Sequence, residues 1–103
     1  GREGEEAVSG QGLLVEVVTP SARLFRGEAE MLVARGVEGE LGILPRHIPL
    51  VTPLKDGVAR IHKAKTESGI RDLQVDYQGG FLIVDGRSAK LLVEEGSLRD
   101  PGR

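Results

Sequence analysis

Apolar and polar residues alternate along most of the chain with a period of two, the pattern of β-strands that bury one face. In the first such segment, residues 13–18, the side chains of Leu13, Val15 and Val17 share one face. Residues 70–77 alternate in the same way. Short alternating segments separated by turn residues predict an all-β fold.

The pattern predicts at least eight short strands and no amphipathic helix of two turns. Two segments, 13–18 and 81–84, are mostly apolar on both faces, which indicates central strands of a two-sheet sandwich. We expect a turn at residues 26–28 and a polar hairpin tip at 64–69. The predicted strands cover residues 13–18, 22–25, 29–34, 40–43, 58–63, 70–77, 81–85 and 89–93.

Both ends of the chain are polar. Residues 1–12 are rich in charge and glycine, and we expect them to form a flexible leader. Residues from 94 onward are polar too, so the sequence predicts a frayed end there. The predicted organisation is therefore a leader at 1–12, one β-sandwich domain at 13–95 and a flexible tail at 96–103.

One segment, residues 36–50, departs from the strand pattern. It holds glycines at positions 36, 39 and 42, the carboxylates of Glu38 and Glu40, and prolines at 45 and 49. Prolines at 45, 49 and 53 exclude a helix longer than one turn, so we expect residues 45–53 to be an extended connection that climbs from one sheet to the other. Such a segment is either a wide connection or a contact surface held out from the scaffold.

Composition limits the functional classes. The chain has 103 residues, enough for one domain, and its 39% hydrophobic residues include only 3% aromatics, so the core must be aliphatic. A net charge of −2 argues against a nucleic-acid binder, which needs a basic face. The absence of cysteine excludes disulfides and thiolate metal sites. The longest apolar run, residues 81–84, is too short to cross a membrane as a helix.

Catalytic chemistry finds little support in the sequence. The glycines at 36–42 lack the Lys-Ser/Thr ending of a phosphate-binding loop, and two carboxylates would repel an anion. His47 and His62 could bind zinc together with Glu38 or Glu40, or the two carboxylates could catalyse hydrolysis, but the spacing favours surface roles. We predict no catalytic, cofactor-binding or metal-binding residue. A metal hydrolase and a small β-sandwich ligand-binding module remain as alternatives.

Residues 36–50, GVEGELGILPRHIPL, resemble the most distinctive run of the epsilon subunit of F-type ATP synthase, called delta in mitochondria. Residues 14–25, 26–30, 52–57, 79–82 and 89–93 are similar to other segments of that family. The resemblance covers about residues 13–95. It implies a sandwich of about ten short strands in two sheets, in agreement with the alternation pattern.

The resemblance also implies a function. The family's sandwich domain is a non-catalytic part of the central rotor stalk. It binds the gamma subunit along one sheet and stands on the polar loops of the c-ring, so it couples proton translocation to ATP synthesis. We therefore expect a monomer when isolated, no cofactor, and a location peripheral to the membrane on the F1 side (the cytoplasmic face in bacteria, or its organellar equivalent). The family's C-terminal helical hairpin, which can bind ATP, has no counterpart in this sequence, so we carry over no ATP-sensing role.

The resemblance assigns roles to residues of the 36–50 segment. A carboxylate here can pair with basic or amide groups of the c-ring, while glycines set the shape of the loop. The predicted c-ring contacts are Glu38, Glu40, Leu41, Gly42, Ile43 and His47. The predicted loop-shaping residues are Gly36, Gly39, Gly42 and Pro45.

Overall fold

A computed structural model describes residues 12–101, which form ten β-strands and no helix. The predicted leader, apart from Gly12, and the last two residues lie outside the described range. The strands are β1 (Leu13–Val18), β2 (Arg23–Ala29), β3 (Met31–Gly36), β4 (Gly39–Ile43), β5 (Leu50–Pro53), β6 (Gly57–Thr66), β7 (Gly69–Gln78), β8 (Phe81–Asp85), β9 (Ser88–Leu92) and β10 (Glu95–Arg99).

The ten strands form two sheets of five. Sheet A has the order β2-β1-β9-β8-β5, and sheet B has the order β10-β7-β6-β3-β4. Neighbouring strands are antiparallel, except that β1 and β9 run parallel. The predicted all-β sandwich of about ten short strands in two sheets is confirmed.

The inward faces of both sheets supply one aliphatic core. Leu13, Val15 and Val17 of β1 are each 0% exposed, as the alternation predicted. Burial of apolar surface at about 25 cal/mol per Å² drives the two sheets together. The other fully buried large side chains are Leu32, Ile43, Ile61, Val75, Leu82, Val84 and Leu91.

The turn predicted at residues 26–28 is wrong, because β2 runs straight through it. Gly27 stands opposite Val15 in the ladder with β1. A Cβ atom on Gly27 would lie 3.0 Å from the Phe25 ring and 3.3 Å from the carbonyl oxygen of Lys65. Gly27 therefore marks a close approach within a strand, a use of glycine that sequence alone does not separate from a turn.

The hairpin tip predicted at 64–69 is shorter than expected. β6 continues to Thr66 and β7 begins at Gly69. The register shifts between Ile61 and Ala64, and Lys63 has a positive φ of 54°. This β-bulge turns both Ile61 and Ala64 inward, where each is 0% exposed. The bulge breaks the strict alternation on which the prediction rested.

The frayed end predicted from residue 94 is also wrong within the described range. Glu95–Arg99 forms β10, which pairs with β7 beyond the predicted domain end at 95. Arg99 donates from Nε and Nη2 to the two carboxylate oxygens of Asp76, at 2.7 and 3.2 Å. Backbone pairing and this fork hold a strand whose only large apolar residue is Leu98.

The segment 36–50 contains β4 and the connection to β5. β4 is the edge of sheet B, and β5 is the edge of sheet A. Residues 44–49 therefore pass from one sheet to the other without secondary structure other than a turn, as predicted. The predicted connection is too long, however, because Leu50–Pro53 forms β5, a strand that the prolines at 49 and 53 do not prevent at a sheet edge. The edges β4 and β5 lie on one side of the sandwich, and the edges β2 and β10 lie on the opposite side.

Candidate partner-binding site

The tip of the β3–β4 hairpin depends on two glycines in different ways. Gly39 has a φ of 134°, which side chains disfavour, although a Cβ atom there would meet nothing within 4 Å. Gly36 is buried, and a Cβ atom there would lie 3.0 Å from Leu41 Cδ1. Gly42 is different, because it occupies an ordinary strand position where a Cβ atom would lie 3.8 Å from Met31 Sδ. The predicted loop-shaping role thus has a physical basis at Gly36 and Gly39 but not at Gly42.

The base of this hairpin is fixed by a buried tyrosine. Tyr77, 3% exposed, accepts a hydrogen bond from the Arg35 N–H at 3.1 Å and donates one to the Arg35 carbonyl at 3.2 Å. The same carbonyl accepts from the Lys55 N–H at 2.9 Å. Burial raises the pKa of the Tyr77 hydroxyl above its ordinary value. β3 is therefore held at the residue before Gly36.

The side chains of β4 alternate between partner-accessible and buried positions. Glu40 and Gly42 are exposed on the outer face of sheet B. Leu41 is half-buried and packs against the core, and Ile43 is 0% exposed. The prediction that Ile43 contacts the c-ring is therefore wrong for this structure, because a strand turns every second side chain inward. Ile43 instead anchors β4 to the core.

Glu40 has an intramolecular partner that sequence reasoning did not identify. Its Oε2 atom lies 3.3 Å from Nη2 of Arg60, a residue of β6. The two side chains are 62% and 42% exposed, so the ion pair contributes little to stability. The pair nevertheless holds the Glu40 carboxylate over the outer face of sheet B. The pairing depends on β3 lying between the two strands, which no local pattern indicates.

The other predicted contact, His47, lies in a separate turn. Its N–H donates to the Leu44 carbonyl at 3.2 Å, and its Nδ1 lies 2.8 Å from the Ile48 carbonyl oxygen. Pro45 followed by Arg46, whose φ is 69°, gives the features of a type II turn. Pro45 therefore shapes this turn rather than the glycine loop. Leu44 and Ile48 beside it are 53% and 75% exposed.

The predicted contact residues thus fall into two groups along one edge. Glu38 lies in the turn before β4 and Glu40 is the second residue of β4, whereas His47 follows the end of that strand. The strand between them has five residues and spans about 17 Å, at about 3.4 Å per residue.

Between the hairpin and β5 lies an open groove of about 440 Å³, lined by Val37, Glu38, Glu40, Leu41, Leu50 and Thr52. The edge therefore offers carboxylates beside apolar surface.

Both sheets expose apolar and charged side chains on their outer faces. On sheet A, Val51 and Phe81 are 67% and 50% exposed, and Leu92 is exposed beside them. On sheet B, the outer face carries the ion pairs Glu40–Arg60 and Asp76–Arg99. The outer face of sheet A also carries ion pairs, from Glu16 to Arg23 and Lys90. Its apolar part is therefore the patch of Val51, Phe81 and Leu92 on β5, β8 and β9, which is open to a partner.

The geometry of the described residues gives the metal-hydrolase alternative no support. Across residues 12–101, no three His, Asp or Glu side chains are grouped as ligands of a metal ion. The zinc hypothesis for His47 and His62 has no such cluster to rest on. In the same range, no helix is long and apolar enough to span a membrane.

The fold and this edge define a class: a β-sandwich domain whose accessible features are an acidic edge hairpin and an apolar sheet face. The chain belongs to the family described as the ATP synthase, Delta/Epsilon chain, beta-sandwich domain, which matches residues 13–97. The resemblance seen at residues 36–50 is thereby confirmed.

Named relatives agree with this assignment. The chain is 46% identical over 86 residues to the ATP synthase epsilon chain of Brevibacillus brevis, covering 84% of this chain and 62% of the relative. It is 40% identical over 87 residues to the ATP synthase epsilon chain of Mycolicibacterium vanbaalenii, covering 84% and 69%. The chain thus spans about three fifths of the length of the first of these relatives.

Solved structures share the fold. A chain of the mitochondrial ATP synthase of Euglena gracilis has a TM-score of 0.73 at 21% identity, with 85% of this chain and 54% of that chain covered. A chain of the Tetrahymena thermophila central stalk and c-ring has a TM-score of 0.66 at 20% identity, with 85% and 66% covered.

Proposed function

We propose that this chain is a non-catalytic subunit of the central rotor stalk of an F-type ATP synthase, where it links the gamma subunit to the c-ring and couples proton translocation to ATP synthesis. The observation that carries the proposal is the family match over residues 13–97. It is supported by relatives named ATP synthase epsilon chain. In this role the chain is peripheral to the membrane, on the F1 side.

The β4 edge is the proposed contact with the c-ring. Glu38 is exposed at the hairpin tip, and Glu40 is 62% exposed beside it. A basic group on a c-ring loop can pair with Glu38 directly and can take the Glu40 carboxylate from Arg60 at little cost, because that pair is solvent-exposed. Exposed Gly42, half-buried Leu41 and the His47 turn complete this edge.

The outer face of sheet A is the proposed contact with gamma. Val51, Phe81 and Leu92 are exposed there, and the half-buried Ile83 lies between Val51 of β5 and Lys90 of β9 in the ladder. Burial of such apolar side chains under a partner gives most of the free energy of association. Because the face is modest in extent, we propose a monomer in isolation.

Binding of purified gamma to the immobilised chain tests the proposal. Phe81→Glu places a charge in the proposed interface and should weaken binding strongly. Ile70→Glu is the matched control, because Ile70 is 64% exposed on sheet B, away from this face. No binding of gamma by the wild-type chain would contradict the rotor assignment. Equal binding by both variants would contradict only the choice of face.

A further inference from the structure

On the opposite side of the sandwich, the edges β2 and β10 meet where a Cβ atom on Gly96 would lie 3.2 Å from Leu24 Cδ1. A cavity of about 600 Å³ lies there, between the two sheets. Its walls include Leu24 and Phe25 of β2, Leu73 of β7 and Leu98 of β10. Leu24 and Phe25 are only partly buried against the core, and Leu98 is exposed. The cavity therefore has an apolar floor accessible from solvent.

One end of this cavity holds an arginine that points inward. Arg71 is paired with Ala64 in the β6–β7 ladder and lies on the same face of β7 as the buried Leu73, as the alternation of residues 70–77 predicts. Its Nε atom is buried and makes no hydrogen bond within the part of the chain that the structure describes. Its Nη2 donates to the Ser68 carbonyl at 3.4 Å, a long contact.

The anion facing this arginine belongs to the same chain. Asp100 Oδ2 lies 3.8 Å from Arg71 Nε, which is beyond hydrogen-bond distance. A guanidinium and a carboxylate normally meet in a two-point fork at about 2.8 Å. The Nε–H group of Arg71 is thus a buried donor without an acceptor in the described residues. Such a donor is unusual, because buried donors in proteins normally have a hydrogen-bond partner.

We propose that this cavity binds a small amphiphilic carboxylate, an alkyl chain carrying a single carboxylate group. The carboxylate takes the donor fork of Arg71 in place of Asp100, and the alkyl chain lies on Leu24, Phe25 and Leu98. Glu67 also lines the cavity and disfavours a ligand with a second negative charge. A cavity of this size with apolar walls and one charged group has the character of a small-molecule site.

In this proposal Asp100 is a competing anion. It follows directly after β10, and its carboxylate lies 3.8 Å from Arg71 Nε, so it faces the guanidinium when no ligand is bound. Replacement of Asp100 by asparagine removes the competitor without changing the size of the side chain. It should therefore raise the affinity for the carboxylate, whereas a purely structural ion pair would give no such gain.

Titration of the full chain with decanoate, below its micelle concentration, tests the site by NMR. We expect saturable shifts at the Arg71 Nε–H and at the methyl groups of Leu24 and Leu98. Acetate carries the head group without the chain, and decyltrimethylammonium carries the chain with the opposite charge, so neither should bind. Arg71→Gln should weaken decanoate binding by about tenfold or more, Arg71→Lys less, and Asp100→Asn should strengthen it.

Several results would overturn the proposal. They are the absence of saturable decanoate shifts, equal binding of decyltrimethylammonium, unchanged affinity of Arg71→Gln, or no gain from Asp100→Asn. Unchanged amide shifts in β8 and β9 establish that a variant is folded. If Arg71→Gln fails to fold, the comparison of wild type with Asp100→Asn and the two control ligands still decides the matter.

Discussion

The hydroxyl of Tyr77 hydrogen-bonds to both polar groups of the Arg35 backbone: it accepts from the N–H at 3.1 Å and donates to the carbonyl at 3.2 Å. The two residues are 42 positions apart in the chain. Through this contact β7 fixes the end of β3, one residue before the Gly36–Gly39 hairpin. The acidic edge is therefore positioned from the core.

Tyr77→Phe should lower the free energy of unfolding by about 1–3 kcal/mol, because the Arg35 N–H loses its partner in a partly buried position. The Arg35 carbonyl keeps its bond from Lys55, so the N–H carries most of the loss. Urea denaturation measures this difference. A variant as stable as the wild type would show that water replaces the hydroxyl without cost.

The same tyrosine predicts a pH dependence. Burial raises the folded-state pKa of Tyr77 above the ordinary value of 10.0, so the folded protein retains a proton that the unfolded chain loses. The contribution of Tyr77 to stability is complete below about pH 10 and is lost as the pH rises through the folded-state pKa. Because the chain has one tyrosine, phenolate absorbance follows this group alone. Titration at or below the ordinary pKa would contradict the prediction.

Two glycines of the hairpin give a matched pair of variants. Gly39→Ala should cost about 1–3 kcal/mol, because residue 39 has a φ of 134° that alanine disfavours. Gly42→Ala should change stability by less than about 0.5 kcal/mol, since a Cβ atom there meets only ordinary contact with Met31. Thermal melting of both variants measures the difference. Equal effects would mean that backbone conformation at residue 39 is not the cause.

The β10 strand carries a testable ion pair. The Asp76 carboxylate accepts two hydrogen bonds from Arg99, which hold its pKa below the ordinary value of 3.8. Because the folded-state pKa is depressed, the stabilising effect is present above the unfolded pKa and is lost as the pH falls through the folded-state value. Arg99→Gln should return the Asp76 pKa toward 3.8 and speed amide exchange in β10. NMR titration of the Asp76 carboxyl group measures the shift, and an unchanged pKa would contradict the assignment.

Much of the fold could be predicted from alternation and turn residues. Leu13, Val15 and Val17 were placed on one face correctly, because burial alternates without a break along β1: these three side chains are buried and the three between them are half-buried. The pattern failed where one residue serves an unusual role. Gly27 looked like a turn residue but gives room to Phe25, and the bulge at Lys63 shifts the alternation by one position.

The end of the domain and the details of the site could not be predicted for a different reason. β10 contains a single large apolar residue, and its pairing comes from the backbone and from Arg99. Likewise, Glu40 was identified from the 36–50 segment, but its partner Arg60 lies on a strand beyond β3. Contacts of this kind depend on sheet order rather than on local sequence.

Glu40→Arg separates a role in attachment from a role in folding. The variant loses the ion pair with Arg60 and places two cations together, but both side chains are exposed to solvent. The free energy of unfolding should therefore change by less than about 0.5 kcal/mol, and the melting temperature should shift little. A like-charge contact with a basic c-ring loop would cost far more in recognition. Glu95→Arg is the matched control, because Glu95 is exposed on β10 at the opposite edge of sheet B.

ATP-driven proton pumping by ATP synthase reassembled with this chain tests the rotor assignment most directly. The wild-type chain and Glu95→Arg should restore pumping to a complex stripped of its own subunit of this family, and Glu40→Arg should reduce pumping while still binding gamma. A stripped complex whose pumping is unaffected by the wild-type chain would contradict the proposed function. Equal pumping with Glu40→Arg and wild type would contradict the proposed role of the β4 edge.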